Sequence, residues 1–217
     1  MMNVFGQLEP YFSQEWKEKY NAILAEEHVK SLSENIQKFK ERTLNWDDPF
    51  FSDELKTDRE ESFTRFIDIL ESQNSEVFKT KKLEEISFEH WLNILGQRLT
   101  PASQRDQNAI PPLKNRLIGA CEKPFNHEIT MAQRAWEKHV GRRDDRFWGE
   151  IKGNNQQKQQ LVMEKISYIL DHKTWWNVFF HYKHQLVYEV REEGGHGIRW
   201  SHSGTNLIGF LEVFNSE

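Results

Sequence analysis

A single cysteine in 217 residues, Cys121, leaves no internal disulfide to form. The chain therefore needs no oxidising compartment, and its length is enough to bury a core of apolar side chains without staples. Polar and charged residues break every apolar run short of the roughly 18 residues a membrane span requires. The opening stretch MMNVFGQLEPYFSQEW has no basic segment leading into an apolar one, so no secretory signal is read there. These absences lead us to expect a soluble cytoplasmic or nuclear protein with no membrane partner.

Common chemical signatures are missing as well. There is no GxSxG, no HExxH and no Cys/His spacing suited to zinc. Gly153-Asn154-Asn155 lacks the spacing of a phosphate loop, although it opens a helical pattern. His181 and His184, three apart on a predicted strand, fall on opposite faces and chelate nothing. No metal site and no cofactor are expected. Cys121, in RLIGACEKP, has no activating neighbour in sequence and reads as a small buried hydrophobe.

Large aromatic residues are plentiful, with eight Trp and fifteen Phe. The mean hydropathy of −0.81 reflects the polar residues around them. The net charge of −5 is uneven: residues 1–100 hold 20 acidic and 13 basic residues, and residues 101–217 hold 14 and 16. An anionic ligand belongs with the second half.

The patterning predicts an α+β fold: an N-terminal helical bundle of residues 1–99, then residues 113–217 as helices and an antiparallel β-meander packed on them. Trp16, Tyr20, Leu24, Val29, Leu32, Ile36 and Phe39 mark helical faces, with Ser13 as a cap and a break near Glu26–His28. Pro49 interrupts. Helices follow over about 59–72 and 87–99, the latter capped by Ser87, while NSEVFKTKKLEE between them reads as a loop or frayed helix. TPASQRDQNAIPP, residues 100–112, is a loop too rich in proline for a packed element. LKNRLIGAC, the Thr130-capped TMAQRAWEKHV and QQKQQLVMEKISYIL give three more helices, about seven in all. We read the whole as one cooperative unit.

Arg199 raises the sharpest question. If Gly194-Gly195 is a two-residue hairpin loop, Val190 lies opposite Arg199 and Glu189 opposite Trp200. Arg199 then shares a face with Tyr188, Val190, Ile208 and Phe210, and Glu189, Arg191, Ile198 and Trp200 share the other. A guanidinium among apolar neighbours needs a partner. It is either a salt bridge to a helix carboxylate or helix C-terminus, or an anion whose oxygens match the planar donor fork.

Further candidates surround it. RAWEKHVGRRDDRFWGEIKGNNQQK mixes cations with Trp136, Phe147 and Trp148, a combination suited to phosphates and bases. Asn177 and His181, four apart on one strand face, can line a pocket. YEVR at Tyr188–Arg191 resembles the carboxylate-x-lysine strand of restriction-like nucleases, with arginine in the lysine position.

From Met131 onward the ordered series QRAW with KH, FWG, WWN, EVR, GxGxRW and GFLE resembles an uncharacterised family of eukaryotic and bacterial soluble proteins. In that pattern Phe179 replaces a His unless His181 serves, His196 replaces Tyr, and Val213 replaces Pro. The resemblance gathers Lys138, His139, Trp148, Asn177, Glu189, Arg191, Arg199 and Trp200 and implies no particular reaction.

The expected function is non-enzymatic binding of a phosphate-bearing ligand, a nucleotide or nucleic acid. Lys138, His139, Arg142, Arg143 and Arg199 hold the phosphate, Trp148 or Trp200 stacks, and Asn177 and Arg191 complete the site. The alternative is a phosphoesterase or nuclease-like enzyme with His139 or His181 as general acid–base and Glu189 as its carboxylate. A third reading is a protein-interaction module that uses the acidic helical half.

Overall fold

A computed structural model describes residues 9–44, 51–56, 59–141 and 146–213. The chain divides into two compact units, residues 1–110 and 111–217. It has the predicted α+β character, with helices first and the sheet at the C-terminal end.

The first unit is helical. Ser13 Oγ accepts from the Trp16 N–H and starts α1 (Gln14–Tyr20). A 3-10 turn, Asn21–Leu24, leads into α2 (Glu26–Lys40). The break thus falls just before Glu26, and His28 is buried within α2. After α3 (Arg59–Glu71), the segment expected as loop or frayed helix forms α4 (Glu76–Glu84), because Ser75 Oγ accepts from the Phe78 N–H. Ser87 occupies the N-cap position of α5 (Phe88–Leu95) without a capping side-chain bond, and Gly96 ends that helix at φ +103°. Trp91 is the hub of the core: Phe66 meets its ring edge-on at 4.3 Å, and Phe12 and Trp16 stack beside it. Residues 100–112 are not free of packed structure. Gln107–Ala109 form a 3-10 turn capped by Asp106, with Ala109 fully buried. Pro49 lies outside the described residues.

The second unit begins with α6 (Lys114–Glu122) and α7 (Met131–Val140), the latter capped by Thr130. A 3-10 turn, Arg146–Trp148, precedes α8 (Asn155–Asp171). With α1 to α5, that makes eight α-helices among the described residues. Asn154 and Gln157 form a reciprocal capping box at the start of α8. The N–H groups at this helix start are therefore met partly from within. The sheet runs β1 (Lys173–His181), β2 (Gln185–Glu192), β3 (Gly197–Ser201) and β4 (Leu207–Leu211), antiparallel and in chain order. Helix α8 packs against β2 and β3.

The register differs by one residue from the expected one. Glu189 pairs with Arg199, Val190 with Ile198 and Tyr188 with Trp200. The loop between β2 and β3 holds three residues, Glu193–Gly195, not two. The Glu192 N–H donates to the His196 carbonyl across it, and Gly195 takes φ +95°. This is the three-residue hairpin in which the last loop residue is left-handed. Glu192 fixes it further, since its carboxylate accepts from the N–H groups of Gly194 and His196. The added residue moves Ile198 and Trp200 to the face of Val190 and Tyr188, and Arg199 to that of Glu189. On β4 a bulge shifts the pairing so that Trp200 faces Leu207 and Ile198 faces Phe210. One face therefore has buried rows of Trp176, Val190, Ile198 and Phe210, and of Val178, Tyr188 and Trp200.

Candidate active site on the polar face of the sheet

On the other face, cross-strand pairing lines up Asn177, Glu189, Arg199 and Gly209, one from each strand. Glu189 is 1% exposed and both of its oxygens are engaged. Oε1 accepts from Arg191 Nε at 2.7 Å; Oε2 accepts from Arg199 Nε at 2.8 Å and Nη2 at 2.6 Å. One carboxylate thus anchors two guanidiniums. Arg199 is held by the strand residue directly opposite it, a partner that neither of the two readings, a helix carboxylate or end and a bound anion, had named. The two-residue loop had placed those groups on opposite faces.

The two arginines have different surroundings. Arg191 is buried, and its Nη1 donates to the carbonyls of Gly195 and Glu212 at 2.6 and 2.7 Å. Burial pulls its pKa below the ordinary value, against the opposing charge of Glu189. It is a tie within the sheet. Arg199 has a side chain 17% exposed, lies over the Phe179 ring at 5.6 Å, and makes no hydrogen bond through Nη1 to the described residues. Its neighbour on β4 is Gly209, where a Cβ would meet no atom of the described residues within 4 Å. The side of Arg199 towards Gly209 thus has open space beside it.

His181 ends β1 on the strand face that carries Asn177. Burial lowers its pKa, and the nearby charges of Arg199 and His184 lower it further, with Glu189 opposing. The neutral ring, able to accept a proton, is the favoured form. His181 and His184 are not on opposite faces. The strand stops at His181, the His184 N–H donates to the His181 carbonyl, and the rings stack at 5.2 Å. Among the described residues no group of three or more His, Cys, Asp or Glu is placed to hold a metal.

The remaining predicted residues are scattered. His139 turns inward from α7, its Nε2 2.8 Å from Glu212 Oε1 and its ring edge-on to Trp148. Lys138, one residue earlier, is exposed. Arg142 and Arg143 lie outside the described residues. Trp148 and Trp200 are fully buried in the core, so neither offers a ring face to a ligand. Asn177 is buried beside Glu189. Lys158 pairs with Glu137 and Lys152 with Glu150, so part of the basic stretch after Ala135 is spent on local ion pairs.

Some features had no role in the sequence reading. Glu212 closes GFLE and pairs with His139; that motif was visible, but its partner lay 73 residues away. Glu192 organises the hairpin loop, and His196 stacks on Phe147 at 3.9 Å. A groove of about 610 Å³ lined by Tyr168, His172, Lys173 and Glu192 sits at the far end of the sheet from His181 and shares no residue with the Arg199 cluster.

An antiparallel sheet that presents an anchored arginine and an imidazole on one face has the parts for phosphodiester chemistry. Comparison with known families points the same way: residues 118–212 match the family model of the CdiA C-terminal tRNase toxin domain. The match covers less than half of the chain and includes His139, His181, Glu189, Arg191, Arg199 and Glu212. Searches of curated proteins and of solved structures returned no match. No helix of the described residues is long and apolar enough to cross a membrane.

Proposed function

We propose that this protein is a ribonuclease acting on tRNA, and that the Arg199–His181 corner of the sheet is its active site. The match of residues 118–212 to a tRNase toxin domain carries this reading and favours the nuclease alternative over the simple phosphate binder. In the reaction the RNA 2′-hydroxyl attacks the adjacent phosphorus; the 2′-O–P bond forms and the P–O5′ bond breaks. His181, kept neutral by its surroundings, takes the 2′-hydroxyl proton. His184, whose ring stacks on that of His181, enters the reaction protonated and gives its proton to the departing 5′-oxygen. Arg199 faces the charge that builds on the phosphoryl oxygens, and Glu189 holds it in position. Glu189 does not act as the base, because both oxygens are committed to guanidiniums.

Incubating the purified chain with total tRNA, with and without EDTA, and resolving the products on a denaturing gel tests this. Cleavage is expected to fall by about two orders of magnitude or more in His181→Ala and in Arg199→Gln. An intact tRNA pool with the wild-type chain, or equal cleavage by both variants, would overturn it.

A further inference from the structure

The turn after His181 is unusual for its surface. Phe180 is 60% exposed and Tyr182 85%, two residues apart at the tip of the β1–β2 hairpin. Local bonds hold the tip: the His184 N–H donates to the His181 carbonyl, the Lys183 N–H to His181 Nδ1, and Lys183 Nζ lies over the Tyr182 ring at 5.2 Å. In a chain with 34 acidic residues, none occurs between Asp171 and Glu189. Glu189, the carboxylate on this face of β2, is buried and paired with two arginines.

The same end of the sheet carries the turn between β3 and β4. The His202 N–H donates to the Leu186 carbonyl, which ties the two turns together. Lys123 Nζ donates to the Thr205 carbonyl at 2.5 Å, and Arg116 Nη1 lies 3.5 Å from the Ser203 carbonyl. Cations from α6 thus reach the turn beside the one that carries Lys183. An exposed aromatic with a lysine over its ring, in a stretch of sequence without carboxylates, suits a base with its phosphate. A protein ring can stack only on a base that is free of its duplex neighbours.

We propose that the β1–β2 tip is a docking platform for an unpaired nucleotide, with Tyr182 stacking on the base and Lys183 meeting a backbone phosphate. This deepens the ribonuclease reading and rests on it: the platform adjoins Arg199 and His181, so a nucleotide seated there sets which phosphodiester reaches them. The enzyme would then choose loops and single-stranded ends.

The test uses a fluorescent 2′-O-methyl RNA stem-loop, which lacks the attacking hydroxyl, and a blunt 2′-O-methyl duplex of the same composition. Binding to the full chain is read by anisotropy, alongside cleavage of tRNA. The wild-type chain is expected to prefer the stem-loop. Tyr182→Ala, at a site too exposed to disturb folding, should weaken stem-loop binding about tenfold, and Tyr182→Phe should restore it. Lys183→Ala should lower the slope of log affinity against log salt by about 0.7. Unchanged binding by Tyr182→Ala, with a wild-type chain that binds and cleaves, would sink the platform and leave the ribonuclease reading standing. A wild-type chain that neither binds nor cleaves any RNA would end both. Tyr182-dependent binding to phosphatidylserine vesicles in place of the stem-loop would overturn the platform in favour of a membrane contact.

Discussion

Glu189 shows how one side chain can settle the role of its neighbours. Its carboxylate is nearly sealed from water and holds Arg191 and Arg199 at the same time. Removing it strands two cations, one of them deeply buried. We expect Glu189→Ala to lose about 3–5 kcal/mol of stability in urea unfolding. His181 gives a prediction in pH. Its folded pKa lies below the ordinary imidazole value, so the unfolded chain takes up a proton first as pH falls. The stability this residue contributes is therefore present above the ordinary value and is lost as pH falls from there to the folded value. An NMR titration should place its midpoint below that of a free imidazole and move it upward in Arg199→Gln. Cys121 is the opposite kind of group. Burial drives its thiol up to about 12, so it should resist alkylation in the native protein and react only on unfolding.

Among the elements, the helices were legible and the sheet only partly so. Trp16, Leu32, Ile36, Phe63 and Phe66 stand at helical spacing and are buried where that spacing puts them. Ser13 and Thr130 cap as their residue types suggest. The strands and their order were also readable, because alternating apolar residues and glycine-rich turns mark a meander. The pairing was not. Two glycines in a row fit a two-residue loop, and only the bond from Glu192 to His196 shows that Glu193 belongs to the loop as well. That single residue hid the contact between Glu189 and Arg199, and with it the shape of the site. His139 and Glu212 stayed hidden for a different reason, since sequence distance says nothing of a helix laid beside the last strand. The loop should be sensitive to substitution. Gly195→Ala would force a side chain into φ +95°, 3.2 Å from Val213, and should cost roughly 1–2 kcal/mol, readable in the same unfolding experiment.

At the scale of the molecule, charge is divided between the units. Residues 1–110 carry 21 acidic and 14 basic residues; residues 111–217 carry 13 and 15. A polyanion is repelled by the first and met by the second, so the affinity for tRNA should fall steeply with salt despite the negative total. A fluorescence titration across an ionic-strength series reads that slope, and a flat response would argue against a phosphate-borne encounter. The hairpin loop also has a reach well beyond its own three residues. The two faces of this sheet are chemically opposite, one dry and aromatic, the other ionic. Were Glu193 to leave the loop and pair with His196, the register would slip by one and deliver Arg199 to the tryptophans and Ile198 to Glu189, so that the choice of one residue as loop or strand would turn half of the sheet inside out.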